Sequence, residues 1–154
     1  MIRYALVAAV LAATLATTGC QASRLTLPEN YLRLESPGYP YADRAVSADG
    51  VYLAVRKSQP AQGGNLEFWT KAVRNELAGQ GYLLTGERKV ASADDVSGSQ
   101  MDFTYTNEGR EFGYTVAVWV DADRVIVAEA GGPKTAFDAD RPRLDAALAA
   151  VKLR

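Results

Sequence analysis

The sequence predicts an α+β fold: one antiparallel β-sheet of about six strands with two helices packed on it. Three observations carry this. Residues 101–130 hold three strand-like segments in immediate succession, each joined to the next by a tight turn, which is a meander. Two other stretches, residues 65–78 and the last residues of the chain, repeat apolar side chains at the helical interval instead. Read in order, the chain runs strand, hairpin, helix, three or four meandering strands, helix. Two helices can then cover one face of an antiparallel sheet.

The chain of 154 residues begins with Met1-Ile2-Arg3, an uncharged apolar run from Tyr4 to Thr18, and Gly19-Cys20. A basic start, a short apolar run and a small-residue exit make a secretory signal peptide over residues 1–19. The run is too short to cross a bilayer, which takes about 20 apolar residues. Cys20 is the single cysteine, and a lone cysteine in a secreted chain asks for a role. Thr18-Gly19-Cys20 resembles the lipobox of bacterial lipoproteins, with Thr17 where that family usually carries Leu. The resemblance implies that Cys20 is acylated and that cleavage precedes it. Residues 20–30, polar and ending near Pro28, read as a tether to a single domain over residues 31–154.

Tyr31-Leu32-Arg33-Leu34 alternates and predicts a short first strand, which the prolines of Pro37-Gly38-Tyr39-Pro40-Tyr41 break. Arg44 to Ala48 and Val51 to Arg56 flank Asp49-Gly50, a two-residue hairpin signal. Val51, Leu53 and Val55 fall on one face. Gln59 to Gly64 reads as a loop. Asn65 can cap a helix to about Ala78, with Leu66, Trp69, Val73 and Leu77 on its apolar stripe and Phe68 well off it. Tyr82 to Val90, interrupted by Gly86, is a further strand, and Ser92 to Ser99 a polar loop. Met101, Phe103 and Tyr105 alternate with polar residues; Gly109 suits a longer hairpin loop. Phe112 to Val120 puts Tyr114, Val116, Val118 and Val120 on one face, and Asp121-Ala122-Asp123 turns the chain into Arg124 to Ala130. Asp138 and Asp140 precede a last helix, with Pro142 in its first turn and Leu144, Ala147, Leu148 and Val151 as its stripe.

The run from Gly113 to Val120, then Arg124 to Ala130, then Phe137 and the amphipathic helix, resembles the closing half of the PsbP-like fold. That fold is shared by the photosystem extrinsic subunit, a Ran-binding nuclear import factor, the bacterial lipoprotein DcrB and several mycobacterial lipoproteins. The resemblance implies an accessory or binding subunit. Gln21 follows the cysteine where enterobacterial lipoproteins held in the inner membrane carry Asp. By that likeness the protein sits on the periplasmic face of the outer membrane rather than at the inner membrane.

Composition removes several function classes. Histidine is absent, which eliminates Ser-His-Asp and Cys-His catalysis and most zinc sites. The net charge is −1, and loss of Arg3 with the leader makes the mature chain slightly more acidic, so nucleic acid is not an expected partner. Gly131-Gly132-Pro133-Lys134-Thr135 lacks the glycine before its lysine that a phosphate loop requires, and Pro133 removes a donor there. Asp121 with Asp123, and Asp138 with Asp140, suit a hairpin turn and a helix cap better than calcium. No metal or cofactor is expected, and no enzymatic activity.

Two readings remain. Tyr39 and Tyr41, with Phe68, are the candidate partner-binding residues, because aromatic rings with a polar tip are favoured in interface cores; the alternative is that these rings close the core over the helix start. Glu76 falls in the middle of the first helix's stripe, where it either lines a pocket or reaches solvent or an arginine at the edge. The expected function is a lipid-anchored envelope protein, an accessory or binding subunit of a membrane-associated assembly. The alternative is a carrier or sensor of a small apolar ligand held between helices and sheet.

Overall fold

A computed structural model of the chain describes residues 24–35 and 38–154. Its elements run β1 (Tyr31–Arg33), β2 (Tyr41–Ser47), β3 (Tyr52–Arg56), β4 (Gln59–Pro60), α1 (Leu66–Gly79), β5 (Leu83–Ala91), β6 (Ser97–Asn107), β7 (Arg110–Asp121), β8 (Arg124–Pro133) and α2 (Lys134–Ala149). The strands form one antiparallel sheet in the order β1-β2-β3-β8-β7-β6-β5, and β4 pairs β8 beyond the end of β3. The α+β architecture is therefore the expected one, with eight strands rather than about six. Gln59 and Pro60 leave the expected loop because a proline is tolerated in so short a strand, which asks for few ladder bonds. Ser97 to Ser99, also expected as loop, are the first residues of β6: all three pair with β5, and Gly98 and Ser99 also pair with Trp119 and Val118 of β7.

The meander forms as its turns dictate. Asn107 pairs directly with Arg110, so the turn has two residues, Glu108 (φ 49°) and Gly109 (φ 75°), instead of the longer loop expected. Both central φ values are positive, which matches the twist of the flanking strands. The Ala122-Asp123 turn between β7 and β8 has the same form.

Residue parity along β7 separates two cores. Tyr114, Val116 and Val118 join Met101, Phe103 and Val125 beneath Leu66, Trp69, Val73 and Leu77 of α1. Ala117 and Trp119 face the other way, with Leu53, Ile126, Ala128 and Ala130, beneath Phe137, Leu144 and Leu148 of α2. The helices thus lie on opposite faces of the sheet, not together on one. The reason is in β7: it is apolar or small at nearly every position from Phe112 to Val120, as a strand covered on both faces must be. Gly113 leaves the room that the Phe137 ring fills, since a Cβ there would stand 2.2 Å from Cδ1.

Helix α1 begins where expected: Asn65 accepts a hydrogen bond from the Phe68 N–H at 2.9 Å. Helix α2 begins four residues before Asp138, so Pro142 sits inside the helix and not in its first turn. An internal proline costs about 3 kcal/mol, an amount that burial of Phe137 ahead of it and Leu144 and Leu148 behind it can offset. Asp138 pairs with Lys134, and Asp140 accepts from the Tyr31 hydroxyl at 3.0 Å. Neither caps the helix.

The described part of the expected tether is docked on the domain. Leu25 is buried in the α2-side core, its N–H donates to Asp43 at 3.1 Å, and the Arg24 carbonyl accepts from the Lys152 N–H at 3.1 Å. Leu25 and Leu27 are apolar residues in an otherwise polar stretch, and the end of α2 gives them a surface to cover.

Candidate functional site

The two faces are covered unequally. On the α2 side the helix, Leu25, Leu27 and Tyr31 close the whole core. An ionic cluster of Arg88, Arg141, Asp102 and Asp145 continues the cover over β6, with Arg141 Nη2 2.6 Å from Asp102 and Arg88 Nη1 2.8 Å from it. On the other side α1 rests on β5, β6 and β7. Among the described residues no helix covers β1, β2 and β3 there.

That uncovered half is built from arginine and tyrosine. Register places Tyr41 beside Arg56, Arg44 beside Ala54, Val46 beside Tyr52 and Ala54 beside Glu129, all on this face. Glu129 is only 1% exposed. Its carboxylate accepts from Arg56 Nε at 2.8 Å and from the Tyr114 hydroxyl at 2.8 Å, and Arg56 Nη2 also lies at 2.8 Å. A buried carboxylate needs such partners, because desolvation of the isolated charge is costly. Burial first, then the Glu129 charge, push the Tyr114 and Tyr52 hydroxyls far above the ordinary tyrosine range. For Arg56, burial pulls downward but the bond and charge of Glu129 outweigh it, so the guanidinium is held charged more firmly than usual.

Beside this pair, the Arg44 guanidinium stands 5.2 Å from the Tyr41 ring centroid and 5.5 Å from that of Tyr52. Its Nε is buried and has no hydrogen-bond partner among the described residues. The chemistry on offer is recognition: planar cations on aromatic rings, over protonated tyrosines and a neutralised carboxylate. Among the described residues, no three His, Cys, Asp or Glu side chains are grouped to hold a metal ion.

Of the sequence-predicted residues, Cys20 lies outside the described residues. Tyr41 belongs to the arginine–tyrosine face. Tyr39 is 79% exposed with Lys57 Nζ 6.0 Å from its ring, and Phe68 is 59% exposed, edge-on to Trp69. Tyr39 and Phe68 therefore do not close the core, and among the described residues no ring contact joins either to Tyr41. Glu76 is exposed and accepts from Gln80 at 3.5 Å, so it lines no pocket. The sequence reading missed Arg44, Arg56 and Glu129. Glu129 could have been found, since a polar residue in an apolar strand covered on both sides has to be buried.

A separate groove of about 410 Å³ runs between Thr26–Glu29 and Arg143, Ala146, Ala147 and Ala150 of α2 and its C-cap. It is not the space between helices and sheet that a carrier of apolar ligands would use. Among the described residues no helix is long and apolar enough to cross a membrane.

Neither a family model nor a curated protein matches the chain. Solved structures do. CyanoP, the cyanobacterial PsbP of Synechocystis, superposes with a TM-score of 0.59 at 11% identity, over 83% of this chain and 84% of its own. The fold is PsbP-like. LpqN of Mycobacterium tuberculosis, a protein involved in cell envelope biogenesis, gives 0.58 at 17% identity over 84% of this chain and 79% of its own. PA94 of Pseudomonas aeruginosa, a protein of unknown function, gives 0.53 at 15% over 81% and 82%. At these identities the likeness establishes the PsbP-like fold and nothing about the face that Arg44 and Glu129 occupy.

Proposed function

We propose that the protein is a non-enzymatic, lipid-anchored envelope protein that serves as an accessory subunit, docking on another protein of a membrane-associated assembly through the uncovered half of its sheet. The observation that carries the reading is the unequal cover of the two faces: one is closed by α2 and the N-terminal segment, the other leaves Tyr41, Arg44, Tyr52 and Arg56 without a helix over them. Arginine and tyrosine are the residues most enriched at the energetic centres of interfaces. Leu32, 76% exposed on β1, extends the same face with an apolar edge. Cys20 is the proposed acylation site, and Gln21 favours the periplasmic face of the outer membrane. The part of LpqN in cell envelope biogenesis is in keeping with this location.

A photoreactive residue at Leu32 should crosslink the partner in cells, whereas one at Glu108, on a hairpin tip at the far end of β6, should not. Tyr41→Ala with Arg44→Ala should abolish the crosslink at position 32 without lowering the thermal midpoint in proportion. Loss of two central contacts typically costs 2 kcal/mol or more, about thirtyfold in affinity. Equal crosslinking at both positions, or an unchanged crosslink in the double variant, would refute docking on this face. The anchor is checked separately: Cys20→Ser should move the protein out of the detergent-extracted membrane fraction, and unchanged partition would remove Cys20 from the site.

A further inference from the structure

The two ends of the sheet differ in what they expose. One end holds the Asp49-Gly50 and Glu108-Gly109 turns and the start of α2. The other holds the Ala122-Asp123 turn, the loop between β5 and β6, the start of α1 and the residues after α2. Two of the large exposed apolar or aromatic side chains, Tyr39 and Phe68, lie at this second end. Lys57 sits by the Tyr39 ring, and Arg124 is steadied there by Ser58, with Nε 3.0 Å from its Oγ. Phe68 is in the first turn of α1, where Cα–Cβ bonds tilt toward the helix N-terminus and so out of this end.

The chain also enters the domain at this end. Arg24 is bonded to Lys152, Leu25 to Asp43, and the neighbouring Leu153 N–H donates to Asp94 in the loop between β5 and β6. From Arg24 back to Cys20 is four residues, which span no more than about 14 Å when fully extended.

We propose that this end of the domain seats on the lipid bilayer: Tyr39 and Phe68 enter the headgroup layer, and Lys57 and Arg124 meet lipid phosphates beside them. The proposal rests on the lipid anchor at Cys20 proposed above. With so short a leash Arg24 cannot leave the surface by more than about 14 Å, and the exposed rings at this end are held near the interface. Tyrosine, phenylalanine and the long stems of lysine and arginine favour that boundary, with ring or stem in the apolar layer and polar tip in water. Of the acids at this end, Asp121 pairs with Arg154 at 2.9 Å and Asp94 accepts from the Leu153 N–H, while Asp95, Asp123 and Glu67 are exposed and stay on the water side of the headgroups. In this pose the arginine–tyrosine face stands at the side of the molecule, open to a protein partner. Tyr39 and Phe68 are then membrane-seating residues, and Tyr41 alone of the three aromatic candidates serves the docking face.

The test uses the full-length lipoprotein in phosphatidylethanolamine–phosphatidylglycerol vesicles. An environment-sensitive dye is placed on Tyr39→Cys, Phe68→Cys or, at the opposite end, Glu108→Cys, all exposed positions. Quenching by doxyl-labelled lipid should be at least about twofold stronger at 39 and 68 than at 108, because the headgroup layer reaches only the first two. Equal quenching at all three positions, with the protein floating on vesicles, overturns the seating while leaving the anchor intact. Failure to float overturns the anchor and the seating together. Strong dye shielding at 39 and 68 without lipid quenching would assign that end to a protein partner instead, and also overturns the proposal.

Discussion

Glu129 and Glu76 make the same point from opposite sides. Helical spacing put Glu76 on the stripe of α1, yet it lies outside the contact and reaches water, because a long side chain at a stripe's border escapes burial with a small rotation. Glu129 has no such escape: it projects from the middle of β8 on the α1 side, buried, and accepts from Arg56 and Tyr114. The pair should behave asymmetrically on substitution. Arg56→Met leaves a buried charge without its cation, and breaking a buried pair in this way costs about 3–5 kcal/mol. Glu129→Gln leaves a neutral amide that can still accept from Tyr114, and an Arg56 already half exposed that can turn to solvent. Urea denaturation should rank Arg56→Met as clearly less stable than Glu129→Gln. The reverse order would mean that Tyr114, rather than Arg56, carries the compensation.

At the level of elements, spacing located α1, its cap, the hairpin at Asp49-Gly50 (with a three-residue loop, Ala48 to Gly50, where two were expected) and the three central strands, because each is set by contacts within a few residues. Element ends were less legible. Helix α2 starts early because Phe137 fills the space that Gly113 leaves on β7, a contact between residues far apart in sequence. Ser97 to Ser99 are polar yet form strand, because β7 and β5 offer ladder bonds on both sides. The facing of β7 is testable. Val118 is fully buried under α1, so Val118→Asp places an unpaired charge in a dry core and should abolish the cooperative unfolding transition. A soluble variant with an unchanged midpoint would mean that the strand faces the other way.

For the whole molecule, tyrosines on both faces tie stability to alkaline pH. Tyr31 lies under α2, Tyr52 and Tyr114 on the α1 side, and burial raises all three well above the ordinary value of 10.0. Below about pH 10 folded and unfolded chains hold these protons alike, so their contribution to stability is constant. Above it the unfolded tyrosines ionise while the native ones do not. The unfolded state then binds fewer protons, and stability falls as pH rises. The thermal midpoint should decline from pH 10 upward, and less steeply in Tyr114→Phe; parallel profiles for the two proteins would show that the Tyr114 hydroxyl titrates normally in the native state.

Fold class, the meander and the absence of histidine chemistry were legible without coordinates, since they depend on composition and on periods of two to four residues. Three matters depended on tertiary structure. Which face each helix covers is decided by how β7 is sandwiched, and period-two alternation cannot mark a strand that is apolar on both sides. Whether Leu25 and Leu27 belong to a tether or to the core is decided by the end of α2, more than a hundred residues away. The arginine–tyrosine face is assembled from β2, β3, β7 and β8, whose side chains meet only once the sheet order β2-β3-β8-β7 is set; strand pairing at that separation is a property of the closed sheet, not of any segment in it.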